Sequence, residues 1–138
     1  MTLNDSTSQL CFIYCRVSSI KQATSGDGLR SQETHCRNYA RSKGYEVVRV
    51  FTDDVSGSSS KRDGMNALLA ALKANDGEPI VVIIDDVSRL ARDVIAHKQL
   101  RIAIAMAGGI LESPNMQFGD DADSEFQEMI RALVAQHQ

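Results

Sequence analysis

Long apolar runs are missing from this 138-residue chain: none approaches the roughly 20 residues that a bilayer crossing requires. The opening stretch, Met1 to Gln9, is polar and lacks a basic segment followed by an apolar one. No secretion signal is therefore expected, and a cytoplasmic location follows. Cysteine is scarce. Cys11, Cys15 and Cys36 make an odd count with no CxxC or Cys/His ligand spacing, which argues against a structural metal or a disulfide framework. Cys11 and Cys15 sit inside an apolar run, where cysteine behaves as a small hydrophobe, so core packing is expected. His35, His97 and His137 are far apart and form no ligand cluster. An excess of basic residues is missing too: 15 Lys and Arg against 18 Asp and Glu leave a net charge of −3. On composition alone this argues mildly against a nucleic-acid partner. A glycine-rich phosphate loop or Walker-type lysine is also absent after the first strand, which removes a nucleotide-binding or phosphatase-like α/β reading.

What is present is a chain of ordinary globular character, 43% hydrophobic, of a length that suits one α/β domain. Leu10 to Val17 (LCFIYCRV) is nearly continuous apolar sequence, the mark of a buried parallel strand. Residues 18–28, rich in Ser, Thr and Gly, read as a loop. A helix is expected over Leu29 to Lys43, with Leu29, Cys36, Tyr39 and Ala40 as its apolar or small positions and Gly44 as its stop. Residues 46–52 alternate into a second strand, and 53–61 (DDVSGSSSK) form a second polar loop. Met65, Leu68, Leu69 and Leu72 fall at helical spacing within about 63–74. Residues 80–84 (IVVII) are a third strand and 85–93 a third loop. A helix over about 94–107 leads into Gly108-Gly109 and a short strand at Ile110-Leu111, with another candidate strand at 115–118. Ser124 to Gln127 fits a capping box before a helix with Phe126, Met129, Ile130, Leu133 and Val134 on one face. The alternation predicts a three-layer α/β/α fold around a mostly parallel sheet of four to five strands. No internal repeat is found.

In open parallel sheets, ligand sites gather at the carboxyl ends of the strands. Three polar segments reach that edge here. One carries Arg16, Ser18, Ser19 and Gln22; one carries Asp53, Ser56, Ser58 and Arg62; one carries Ser88, Arg89, Arg92 and Asp93. Each brings an arginine and a hydroxyl, a combination suited to phosphoryl transfer. Guanidinium groups match the charge spread over phosphate oxygens, and a hydroxyl can serve as nucleophile. No Asp, Glu and His cluster with metal spacing appears, so the arginines would stand in for a divalent ion. The plainer alternative is that these arginines pair with Asp53, Asp54, Asp85 and Asp93 on the surface.

Tyr14-Cys15-Arg16-Val17-Ser18, then Ser56-Gly57-Ser58 followed by Arg62, then Ser88-Arg89-Leu90-Ala91-Arg92-Asp93 resemble, in order and spacing, the signature of the serine recombinases, the resolvase/invertase family. The resemblance runs from about Leu10 to Gln138. It implies that Ser18 is the nucleophile, forming a 5′-phosphoserine link to DNA, with Ser19 its obvious rival. It implies that Arg16, Arg62, Arg89 and Arg92 surround the scissile phosphate, that Gln22 and Ser56 orient phosphate or nucleophile, and that Asp53 is an acidic member of the same site. It implies that neither metal nor ATP is needed, and no other cofactor. The partners it implies are DNA, a homodimer and a synaptic homotetramer, with no membrane. The alternative of another class is a catalytically silent assembly or regulatory module of the same fold; the full set of arginines speaks against it.

Two departures stand out. Ser88 occupies a position where the family commonly has Asp, which leaves the roles of Asp85, Asp86 and Ser88 open. The first loop, lengthened by Ala23 to Gly28, resembles the large integrase or transposase branch. The resemblance also frames the organisation: a disordered tail over 1–9, a catalytic domain over 10–122, and over 123–138 the start of a long interface helix, a truncated dimerisation helix. A DNA-binding domain is expected beyond Gln138, which would account for the acidic balance.

Overall fold

The computed structural model describes residues 8–17, 28–54, 62–86 and 94–114. Their elements alternate along the chain: β1 Leu10–Val17, α1 Leu29–Lys43, β2 Glu46–Asp54, α2 Asp63–Ala74, β3 Ile80–Ile83, α3 Val94–Met106 and β4 Gly109–Glu112. The strands form one sheet in the order β2-β1-β3-β4, and every neighbouring pair is parallel. Parallel neighbours cannot be joined by a tight turn, and a helix makes each crossover.

Side chains alternate between the faces of a strand, so the sheet carries two cores. On one face Cys11, Ile13, Cys15, Val81 and Ile83 pack against Cys36 and Ala40 of α1. On the other, Phe12, Tyr14, Phe51, Val82 and Ile84 pack against Met65, Leu68 and Leu72 of α2 and Ile104 of α3. β1 is central and covered on both sides, which is why every residue from Cys11 to Val17 is buried and why its sequence is apolar but for Arg16. All three cysteines are buried and outside any disulfide, as their apolar setting suggested. This four-stranded sheet between α1 and the α2–α3 layer is the three-layer architecture expected from the alternation.

α1 ends as its sequence foretold. Gly44 takes a left-handed conformation (φ 76°), its N–H donates to the Arg41 carbonyl, and the Tyr45 N–H donates to the Ala40 carbonyl. Its inner face is Gln32, Cys36 and Ala40; Leu29 and Tyr39, expected there, are only half-buried at its flanks. Tyr39 and Tyr45 each donate a hydrogen bond of 2.9 Å to Glu112, tying the end of α1 to the edge strand β4. Burial is the first cause that pushes up both phenols and the Cys11 thiol; next comes the hydrogen bond to Glu112 for the phenols and the Glu112 charge for the thiol, so that Cys11 reaches about 11 and Tyr45 about 12.

Two strand ends differ from the sequence expectation. β2 continues to Asp54, because β1 runs on to Val17 and offers Arg16 and Val17 as partners for Asp53 and Asp54. Asp53 is thus a strand residue, not a loop residue. β3 ends at Ile83 rather than at residue 84. The expected strand at 115–118 and the helix opening near residue 124 lie outside the described residues. Among the described residues no helix is long and apolar enough to cross a membrane.

Candidate active site

The pairing of β1 with β2 sets Tyr14 opposite Phe51 and Arg16 opposite Asp53 at the carboxyl edge of the sheet. The two-residue period places Tyr14, Arg16, Phe51 and Asp53 on the face that α2 covers. Asp53 is 5% exposed, and its carboxylate sits over the start of α2. Oδ1 accepts a hydrogen bond from the Gly64 N–H at 2.7 Å; Oδ2 accepts from the Met65 N–H at 2.9 Å. The first N–H groups of a helix have no partner inside it, and a carboxylate placed there also meets the positive end of the helix dipole. Asp53 therefore caps α2 from a neighbouring strand, across the sheet–helix boundary.

Gly64 makes that contact possible. A Cβ on Gly64 would lie 2.2 Å from the Thr52 carbonyl oxygen and 3.0 Å from Asp53 Oδ1. Any side chain would push the helix start off the strand and out of hydrogen-bonding reach.

Tyr14 lies beneath the same carboxylate and is fully buried. Its hydroxyl donates to Asp53 Oδ2 at 2.7 Å and accepts a hydrogen bond of 3.0 Å from an Nη of Arg62. Burial is the main cause that raises the phenol well above its ordinary range; Arg62 opposes it and Asp53 adds to it. The hydroxyl thus stays protonated and remains a donor to Asp53. Arg62 occupies the N-cap position of α2. Its Nε is buried and meets no hydrogen-bond acceptor among the described residues.

Arg16, 8% exposed, is held by its backbone. β3 pairs with β1 only from Cys11 to Ile13. Beyond the end of that ladder the side-chain amide of Gln32, fully buried on α1, takes the place of a strand. Arg16 N–H donates to Gln32 Oε1 at 2.9 Å, and Gln32 Nε2 donates to the Arg16 carbonyl at 2.9 Å. The last turn of β1, immediately before Ser18 in the sequence, is fixed on the β2 side by a strand and through Gln32 by α1.

Of the residues singled out in the sequence, Arg16, Asp53 and Arg62 are brought to one edge and one face. Ser18, Gln22, Ser56, Arg89 and Arg92 lie outside the described residues. Asp85, whose role the sequence left open, is buried, and one carboxylate oxygen lies 3.7 Å from His35 Nδ1 on α1. It is thus engaged on the face opposite Tyr14 and Arg62. Among the described residues no group of three His, Cys, Asp or Glu side chains is arranged to hold a metal ion. The sequence missed Tyr14, Gln32 and Gly64 as parts of the site. Tyr14 looked like one more apolar strand position. Gln32 carried a weak signal, being the polar residue four before Cys36 on a helix face that should be buried.

The fold is similar to those of several solved structures. The N-terminal catalytic domain of TP901-1 integrase superposes with a TM-score of 0.69 at 22% identity, covering 94% of this chain and 96% of that one. A resolvase family site-specific recombinase from Streptococcus pneumoniae gives 0.67 at 22% identity, over 94% of this chain and 93% of that one. The C-terminal catalytic domain of ISC1926 TnpA, an IS607-like serine recombinase, gives 0.60 at 28% identity, over 91% of this chain and 78% of that one. At this level of identity the likenesses speak for the fold. The family follows from a different match: the family model for the resolvase N-terminal domain covers residues 11–138. On that match the chain belongs to the resolvase family, as the catalytic domain of a serine recombinase.

Proposed function

We propose that this domain cleaves and rejoins DNA through a covalent 5′-phosphoserine intermediate carried by Ser18, without metal or ATP. Family membership supports site-specific DNA recombination in general. The observation that carries the finer proposal is the placement of Arg16 and Arg62 at one carboxyl edge, where β1 ends. Ser18 is two residues beyond Arg16, and Val17 already ends the strand.

In the proposed step the Ser18 hydroxyl attacks the scissile phosphorus and gives up its proton. The bond from phosphorus to the 3′ oxygen breaks, and that oxygen leaves as a hydroxyl after taking a proton. One phosphoester replaces another, so the reverse attack by a 3′-hydroxyl can reseal the strand with no external energy source. Arg16, Arg62, Arg89 and Arg92 stabilise the charge that develops on the phosphate oxygens, as preorganised donors in place of a metal ion. Gln22 and Ser56 orient the phosphate or the nucleophile. Asp53 holds the frame at the start of α2. DNA is the substrate, and the acting form is a dimer that pairs into a synaptic tetramer in the cytoplasm. A DNA-binding segment outside this domain supplies site specificity, and the domain alone binds DNA weakly.

The test uses the intact parent protein and DNA from the ends of its own mobile element. The cleaved complex is trapped and digested, and the DNA adduct is located by mass spectrometry. An adduct on Ser18 is the expected result. An adduct on Ser19 would keep the chemistry and move the nucleophile. No adduct, with folding and DNA binding intact, would overturn the proposal in favour of a silent assembly module.

A further inference from the structure

We infer that Tyr14 is a positioning residue: its hydroxyl, locked by Asp53, aims the Arg62 guanidinium into the site. The inference rests on the proposal that this edge takes a DNA phosphate, and it concerns a residue to which the sequence gave no task beyond packing.

The argument begins with the single proton of a phenol. A tyrosine hydroxyl has one hydrogen to donate and lone pairs to accept with. Here the hydrogen goes to Asp53 Oδ2 at 2.7 Å, so the lone pairs are left for Arg62, whose Nη donates at 3.0 Å. The direction of the donor chain is therefore fixed from Arg62 to Tyr14 to Asp53. Asp53 cannot swing, because the Gly64 and Met65 N–H groups hold both of its oxygens. Tyr14 cannot swing either, since it is fully buried in the core under α2. Arg62 is anchored in turn at its own backbone, where its carbonyl accepts the Asn66 N–H at 2.9 Å. Both ends of a long side chain with many rotamers are thus tied to rigid elements.

The interposed phenol also explains what a direct ion pair would not. An arginine fork laid on a carboxylate is held in two places, but its charge and its paired donors are then consumed. A phenol oxygen is neutral and takes one N–H. Arg62 keeps its charge and its remaining donors, including an Nε that is buried and meets no acceptor among the described residues. A phosphate oxygen is the kind of acceptor such a group lacks. Burial keeps Tyr14 protonated, so the arrangement does not titrate away near neutral pH.

The variant is Tyr14→Phe, which removes the oxygen and keeps the ring. Two readouts separate the inference from the reading on which it rests. The first needs no DNA: the order parameter of the Arg62 Nε–Hε bond by 15N relaxation, its signal assigned with Arg62→Lys. In the unaltered chain Arg62 should be as rigid as the backbone around it, whereas exposed Arg41 should be mobile. An Arg62 as mobile as Arg41 in the unaltered chain would overturn the inference, whatever becomes of the variant. In Tyr14→Phe the order parameter should fall towards the Arg41 value.

The second readout is single-turnover cleavage by the intact parent protein on DNA from its element. Losing one hydrogen bond to a charged group should slow cleavage by about 10- to 100-fold. DNA affinity should stay within about 2-fold, because charge is conserved. The double variant Tyr14→Phe/Arg62→Ala should be no slower than Arg62→Ala alone. Additive losses would show that Tyr14 acts elsewhere and would overturn the inference. If the unaltered parent cleaves no DNA at all, the proposed function fails, while the Arg62 order parameter still decides the role of Tyr14.

Discussion

Gln32→Leu removes the surrogate strand partner of Arg16, and its cost can be worked from the contacts. Leucine has nearly the volume of glutamine but offers neither the acceptor now 2.9 Å from the Arg16 N–H nor the donor now 2.9 Å from the Arg16 carbonyl. A buried polar group deprived of its partner costs about 1–3 kcal/mol. Two such groups give a gross loss of about 2–6 kcal/mol by the same rule. The burial of an apolar side chain returns part of that, about 1–2 kcal/mol once the lost amide stem is counted. A net destabilisation of about 2–4 kcal/mol is expected, a large share of the roughly 5–15 kcal/mol that holds a domain together. The assay is equilibrium urea unfolding followed by far-UV circular dichroism, with midpoint and slope fitted together. Gln32→Glu supplies an internal check. Its carboxylate can accept from the Arg16 N–H but cannot donate to the carbonyl, whereas its protonated form can do both. The folded state then favours the proton, so relative to the unaltered chain the variant should recover as pH falls towards about 4.3, the ordinary glutamate value. A Gln32→Leu loss below about 0.5 kcal/mol at unchanged slope would refute the surrogate-strand argument, since surface substitutions alone produce changes of that size.

Two further outcomes follow from the same packing. Gly64→Ala places a Cβ 2.2 Å from the Thr52 carbonyl oxygen, so α2 must lift off β2 and loosen its Asp53 cap; a loss of about 1–3 kcal/mol is expected by urea unfolding, and a neutral result would refute the close approach. Alkali should also weaken the fold. The Cys11 thiol rises from 9.0 to about 11 and the Tyr45 phenol from 10.0 to about 12, with Tyr14 and Tyr39 raised further. A folded state that keeps protons which the unfolded chain releases is fully stabilised below pH 9 and loses that advantage as pH rises through 9–12. The urea midpoint should therefore fall between pH 8.5 and 10.5, and a flat midpoint over that range would show that the unfolded chain gains nothing there.

The fold was legible because hydrophobic period and turn chemistry agreed along the chain. Val81, Val82 and Ile83 could only be a strand buried on both faces, and Gly44 after Arg41 and Lys43 could only end a helix. Of the candidate site, the edge was legible, because chemistry in an open parallel sheet collects where strands end, and Arg16 and Arg62 lie there. Its supports were not. Tyr14 has an apolar ring that fits a strand pattern, and nothing in a pattern announces where a phenol oxygen points. Gln32 and Arg16 are 16 residues apart, and their pairing depends on how far β3 runs beside β1. Asp53 read as a loop residue because Asp-Asp followed by Ser and Gly resembles a turn; pairing with Arg16 and Val17 overrode that local tendency.

Asp53 also bears on how a carboxylate can stand beside the arginines of a proposed phosphate site. A bare carboxylate about 6 Å from a phosphate would repel it by about 3 kcal/mol at an effective dielectric constant near 20, enough to undo one good arginine contact. In this fold the charge is turned inward. Both carboxylate oxygens face N–H groups of α2, where the helix terminus carries about half a positive charge. The neutral Tyr14 hydroxyl stands between the carboxylate and Arg62. The acid thus fixes the geometry of the edge with both of its oxygens turned to the start of α2. A net charge of −3 counts such residues at full weight, although Asp53 spends its charge inside the protein. For the proposed phosphate chemistry the relevant quantity is which charges still face the site.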